Sequence, residues 1–155
     1  MPKFVVHEHH ATHLHFDFRL EMEGVLKSWA VPKGPSMNPK DKRLAIIVDD
    51  HALEYASYEG IIPEDQYGSG AVLIWDDGEY IFLGGSVREG KIEFVLRGRK
   101  LNGGFVLTKM SGKEKEWLLI KKRDDFAEDD FVMKTKLTPE LRKKLKVKVP
   151  PCVAS

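Results

Sequence analysis

From Leu14 to Met22 the chain alternates without a break. Leu14, Phe16, Phe18, Leu20 and Met22 are apolar, while His15, Asp17, Arg19 and Glu21 are polar or charged. A strand has period two, so this stretch commits the chain to a β-sheet, with one face in a core and the other lining a shared surface. Same-face residues lie about 6–7 Å apart, twice the rise per residue. His15 and Asp17 therefore reach one ion, and Arg19 reaches a ligand beside it. His9 has the same parity but lies across His10-Ala11-Thr12. It needs a bend in the chain to complete a two-histidine, one-carboxylate face.

Short strands cut by turns make up most of the remaining sequence. Residues 4–6, 13–22 and 25–31 read as the first three, with a turn at Glu23-Gly24. Residues 43–49 carry the nearly continuous apolar run of a central strand. Residues 52–58 read as an irregular turn or a brief helix. Asp76-Asp77-Gly78 reads as a hairpin turn between strands 71–75 and 80–83. Strands at 91–97, 103–109 and 116–121 complete the set. The pattern predicts an all-β chain: a closed or nearly closed antiparallel β-barrel of about eight strands, preferred over a sandwich. One short C-terminal helix is expected, with Thr138 as cap, Pro139 at its first position and 140–145 following. The basic run 142–148 reads as a solvated helix face and tail. A single domain over 1–155 is expected, with its core at about 4–126 and the helix and tail in 127–155.

Composition restricts the chemistry. Lys+Arg number 25 against Asp+Glu 24, so any basic surface must be local. The one cysteine, Cys152, excludes a disulfide framework and any zinc site built on several thiolates. A metal must use nitrogen and oxygen ligands. No signal core and no run of roughly 20 apolar residues is present, which predicts a cytoplasmic protein without membrane contact.

Two imidazoles and a carboxylate on one face suit manganese, iron, cobalt or zinc and leave positions open for substrate. Arg19 adds a planar fork of donors that matches phosphate oxygens, although carboxylate substrates fit the same pair. His51 follows the apolar run 44–48 and reads as a proton donor to a leaving oxygen or as an imidazolium holding phosphate. Tyr55 and Glu59 lie just beyond it. Asp49 and Asp50 read as turn formers rather than a second ion site. Glu21 orients Arg19 or a ligand histidine, or is a hairpin-end charge. His7, His10 and His13 read as surface residues or outer partners of the ligands. Two other classes fit the residues alone. An iron(II) oxygenase would use His15, Asp17 and His51 and leave His9 outside. A non-catalytic barrel would bind single-stranded nucleic-acid ends.

The stretches HHATHLHFDFRLE (9–21) and GVLKSWAVPKGPS (24–36) resemble the signature of the 3′-phosphoesterase module of prokaryotic DNA ligase D. So do Asp49-Asp50-His51, YASYEGIIPE (55–64), Gln66-Tyr67-Gly68, Ile74-Trp75-Asp76 and WLLIK (117–121). The resemblance spans about residues 4 to 126. It implies a metal-dependent β-barrel enzyme, typically with manganese and with cobalt as another candidate, that removes 3′-terminal ribonucleotides and 3′-phosphates from DNA primer–template ends to leave a 3′-hydroxyl. By position it implies His9, His15 and Asp17 as metal ligands, Arg19 and His51 on the phosphate, and Tyr55 close to the reacting end. Asp is frequent in the family at the place of His10, and Arg at that of His13. The polymerase and ligase modules are absent, so a free-standing, monomeric, nucleoid-associated version is expected, working with a separate ligase or polymerase of end joining.

Overall fold

The computed structural model describes residues 1–66 and 69–151; Tyr67, Gly68 and Cys152 lie outside the described residues. The alternating stretch forms the second arm of an N-terminal hairpin. β1 (Lys3–His10) and β2 (Leu14–Met22) pair antiparallel, and Phe16, Phe18 and Leu20 enter the core. The turn at Glu23-Gly24 leads into β3 (Val25–Val31), which pairs with β2 and then with β4 (Arg43–His51). A short 3-10 turn, Leu53–Ser57, precedes β5 (Gly60–Ile62). Then follow β6 (Gly70–Ser86), β7 (Lys91–Arg97), β8 (Asn102–Lys109) and β9 (Glu116–Lys121). The neighbours run β1-β2-β3-β4-β9-β8-β7-β6, and β6 pairs back onto β1. Eight antiparallel strands therefore close a barrel, as expected, and closure removes the exposed sheet edges. β5 attaches to the first residues of β6.

Inward residues fill the barrel: Phe4, Val6, Trp29, Phe94, Phe105 and Trp117 are all buried. The indoles of Trp29 and Trp117 meet edge to face at 5.6 Å. Each such side chain contributes roughly 1.5–3 kcal/mol relative to exposure. A second cluster, Leu26, Tyr55, Tyr58, Ile62 and Val72, holds the Leu53–Ser57 turn and β5 against the barrel. After β9 the chain packs Phe131 and Met133 onto the core. Lys136 and Leu137 then donate their backbone N–H groups to the buried Glu8 carboxylate, at 2.6 and 2.9 Å. The helix α1 (Pro139–Lys144) begins where expected, with Thr138 Oγ1 accepting the Leu141 N–H at 3.1 Å. Among the described residues no helix is long and apolar enough to cross a membrane.

Two expectations are corrected. The first strand does not stop at Val6 but continues through His10, because its second half is paired on both sides, by β2 and by β6. Asp76-Asp77-Gly78 is not a hairpin turn but lies within the single long strand β6. Asp76 is buried there and accepts the backbone N–H groups of Arg99, Lys100 and Leu101. Gly78 permits close passage of the Arg97 carbonyl, which a β-carbon would strike. The local turn signal loses to these tertiary partners.

Candidate active site

The hairpin register builds the site on the outer face of β1 and β2. His9 stands opposite His15 and His7 opposite Asp17. Directly opposed residues bring their Cβ atoms to about 4.5–5.5 Å. The connection 11–13 supplies the bend that His9 requires. One donor atom from each of His9, His15 and Asp17 lies within 4.8 Å of the others. His9 Nδ1 is 3.4 Å from Asp17 Oδ2, and His15 Nε2 is 3.3 Å from Asp17 Oδ1. Ligands about 2.0–2.2 Å from a common ion have separations of this order.

The hydrogen bonding supports a cation at this point. His15 Nδ1 lies 3.1 Å from the His13 carbonyl, which can only accept, so Nδ1 carries the proton. That leaves the Nε2 lone pair facing an anionic oxygen. Either a second proton or a metal ion belongs between them, and a carbonyl behind the ring is the usual support of a ligating histidine. Burial lowers the His15 pKa, but the hydrogen bond and charge of Asp17 outweigh it and raise the ring's proton affinity. Asp17 is buried, which disfavours its charge. The Arg19 guanidinium and the His15 and His9 rings reverse this and hold the carboxyl well below the usual range. The three residues present thus fit a nitrogen- and oxygen-liganded divalent ion.

Arg19 connects this cluster to the next. Its side chain is buried, with Nη2 3.4 Å from Asp17 Oδ2. Nε donates to His7 Nδ1 at 3.1 Å, and Nη1 donates to Ser28 Oγ at 2.9 Å. Ser28, opposite Arg19 in the ladder, in turn donates its hydroxyl to the Leu26 carbonyl in a hydrogen bond. The guanidinium carbon lies 4.7 Å from the centre of the Tyr55 ring. His7 is wholly buried; since it accepts from Arg19, its other nitrogen donates to the Tyr58 carbonyl at 3.1 Å. Burial and the neighbouring Arg19 charge hold its pKa well below the ordinary value, so the ring is neutral.

His51 arrives through a bulge. Ser28 pairs with Val48, but the register slips before Leu26, which pairs with His51. An unslipped ladder would bring Asp50 there instead, so the bulge re-aims the strand end toward Arg19. His51 Nδ1 lies 3.1 Å from both Arg19 Nη1 and the Asp49 carbonyl. It can serve only one at a time, and a guanidinium can only donate. Accepting from Arg19 leaves the ring proton on Nε2, whereas donating to the Asp49 carbonyl leaves it on Nδ1. Burial and the Arg19 charge lower the His51 pKa to about 4. With no phosphate beside it the ring is neutral near pH 7, so neither the proton donor nor the imidazolium is its resting form.

This depression carries a sign. Between the ordinary 6.5 and about 4, the unfolded chain binds a proton that the folded chain refuses. The contribution of His51 to stability is complete above 6.5 and is lost as pH falls toward 4. His7 acts in the same direction and His15 in the opposite one. His51→Gln cannot titrate, so its urea midpoint should fall less than that of the wild type between pH 7 and pH 5. Equal falls would show that His51 protonates without cost to the fold.

The remaining candidates separate clearly. Tyr55 is buried with its ring against His7 (5.1 Å), His51 (4.8 Å) and Tyr58 (5.2 Å), and burial pushes its hydroxyl up to about 12. Glu21 accepts the backbone N–H of Lys3 at 2.9 Å, one same-face step beyond Arg19; the orienting contacts on Arg19 come from His7 and Ser28. A hollow of about 250 Å³, lined by Lys3, Glu21, Leu26, Leu53, Ala56 and Ser57, opens at that end of the face. His10 bonds Glu8 at 2.7 Å, and His13 is exposed in the hairpin connection. Asp50 pairs with Lys27 at 2.9 Å. Glu59 accepts the Ile74 N–H at 2.7 Å, tying the turn to β6. Ser28 and Tyr58 carry no site signal of their own in the sequence. Their positions show only once the strand register is known.

Comparison with known proteins gives a consistent result. A sequence model of the DNA ligase D 3′-phosphoesterase domain matches residues 7–109. The multifunctional non-homologous end joining protein LigD of Pseudomonas aeruginosa is 46% identical over 127 residues, covering 79% of this chain and 15% of that protein. The LigD of Mycobacterium tuberculosis is 44% identical over 117 residues, covering 74% and 15%. That of Mycolicibacterium smegmatis is 40% identical over 131 residues, covering 79% and 17%. The chain thus spans about one sixth of the length of these relatives.

Proposed function

The chain belongs to the DNA ligase D 3′-phosphoesterase domain family, and from that premise we propose that it heals the 3′ ends of DNA in non-homologous end joining. In this reading it is a metal-dependent hydrolase. It removes 3′-terminal ribonucleotides and 3′-phosphates from primer–template ends and leaves a 3′-hydroxyl for a ligase or polymerase. One observation carries it: a cation-seeking His9–His15–Asp17 cluster shares Asp17 with a buried arginine.

A divalent transition-metal ion held by His9, His15 and Asp17, with manganese the first choice, supplies Lewis-acid polarisation of a phosphate oxygen when bound. Arg19 takes up the negative charge that develops on the transferring group. Its Nε and Nη1 are fixed by His7, Ser28 and His51, so the Nη2 amine beside Asp17 is the one presented to phosphate. A donor already oriented costs no reorganisation during the reaction. In the tautomer that accepts from Arg19, His51 presents its Nε2–H to a phosphate oxygen. A neutral imidazole is a feeble acid, so this hydrogen bond stabilises charge rather than protonating the leaving oxygen. Tyr55, uncharged, supplies the ring on which Arg19 rests and walls that side of the site. The oxygenase arrangement is disfavoured because His51 is held against Arg19 while His9 joins His15 and Asp17.

The test is a 5′-labelled primer–template ending in one ribonucleotide, incubated with manganese. Loss of the terminal nucleoside followed by loss of the phosphate is the expected ladder. No product with manganese, or products unchanged by chelation, contradicts the reading.

A further inference from the structure

We propose that the C-terminal segment Lys146–Lys148 belongs to the active site, as a strap that fixes Arg19 through Tyr58 and His7; the inference rests on the phosphate-handling role of Arg19. The strap lies well beyond residues 7–109, the span that the family model matches. Val147 bridges Ile61 in parallel. The Ile61 N–H donates to the Lys146 carbonyl at 2.9 Å, and the Lys148 N–H donates to the Ile61 carbonyl at 3.0 Å. Gly60 makes this approach possible, because a β-carbon there would sit 2.8 Å from the Lys146 carbonyl oxygen.

From the strap the connection runs inward without a gap. Tyr58 Oη donates to the Lys148 carbonyl at 2.8 Å, and Lys148 Nζ lies 5.3 Å from the centre of the Tyr58 ring. Tyr58 is thereby held at its tip from outside the barrel. Its own carbonyl accepts from His7 Nε2 at 3.1 Å, and His7 Nδ1 accepts from Arg19 Nε at 3.1 Å. The carbonyl fixes the tautomer of His7, and the tautomer fixes the direction of the guanidinium. The Tyr58 ring stacks on Tyr55, whose ring supports the guanidinium face. His7, Tyr58 and the strap are positioning groups; of this chain of contacts Arg19 alone meets phosphate.

The test reads Arg19 directly. In a ¹⁵N-edited proton spectrum the Arg19 Nε–H of the full chain should exchange slowly with water, the resonance being assigned by its loss in Arg19→Lys. A chain ending at Leu145 and the single substitution Lys148→Pro, which deletes one strap N–H, should both lose that protection. A chain ending at Pro151, which retains the strap, should keep it. His7→Gln offers an amide oxygen to Arg19 and an amide N–H to Tyr58 and should keep it; His7→Leu should not. In the same variants kcat on a 3′-phosphate primer should fall roughly 10–100-fold where protection is lost, the scale of a misplaced catalytic group, with manganese affinity unchanged. Preserved protection in Lys148→Pro, whose melting temperature checks its fold, overturns the proposal. So does lost protection with full kcat. An inactive wild type would refute the phosphoesterase reading instead, and the exchange measurement would still decide whether the strap orders Arg19.

Discussion

Asp17→Asn should fold, release its cation and lose turnover on both the 3′-phosphate and the ribonucleotide-ended primer. The substitution preserves shape and removes charge. Asp17 is the only anionic member of the ligand cluster, and it is buried among two imidazoles and a guanidinium. A neutral amide in its place leaves Arg19 as an unbalanced buried charge, which repels a divalent ion as well as failing to bind it. Removing one partner of a buried ion pair costs about 3–5 kcal/mol, so the melting temperature should drop. The barrel core lies on the opposite faces of β1 and β2 and should survive. Turnover should fall by more than the roughly 10–100-fold typical of losing an outer partner of a metal ligand. Manganese binding by calorimetry and single-turnover rates on both primers check this. Near-native rates on either, with the metal in excess, would remove Asp17 from the ligand set.

Arg19→Gln should separate binding of the ion from use of it. Arg19 touches Asp17 but lies outside the three-donor cluster, so the metal should remain. Lost instead is one preorganised charge donor, worth roughly 10²–10³ in kcat. The ion itself should bind no more weakly, since a positive charge next to its carboxylate ligand has gone. His7, Ser28 and His51 lose a shared donor, and a glutamine side chain is too short to replace all three contacts. Manganese content and kcat measured on one preparation give the answer. Metal content falling in step with the rate would contradict this division of labour.

The alternation over 14–22 is enough to predict β2, its buried face and the polar face that carries His15, Asp17 and Arg19. It works because a half-buried strand writes its orientation into every second residue. The place of His9 depends on the turn at 11–13, which the sequence marks only as a requirement. His7 and Ser28 are harder still. Their importance comes from standing across the ladder from Asp17 and Arg19, and pairing register is a tertiary property. The bulge that brings His51 to Arg19 leaves no trace in a run such as LAIIVDDH, which an unbulged strand could equally carry. Asp76-Asp77-Gly78 shows the converse error. A strong turn signal was overridden by three backbone donors some twenty residues away. The neutrality of His51 could not be foreseen either, since it follows from burial beside a charge whose position only the fold determines.

Crystals soaked in manganese, measured for anomalous scattering at the manganese edge, would locate the ion itself. One strong peak should lie within coordinating distance of a nitrogen of His9, a nitrogen of His15 and an oxygen of Asp17, with Arg19 still bound to His7. A protein that trims its primer under the same conditions while those three side chains hold no ion would contradict this ligand set.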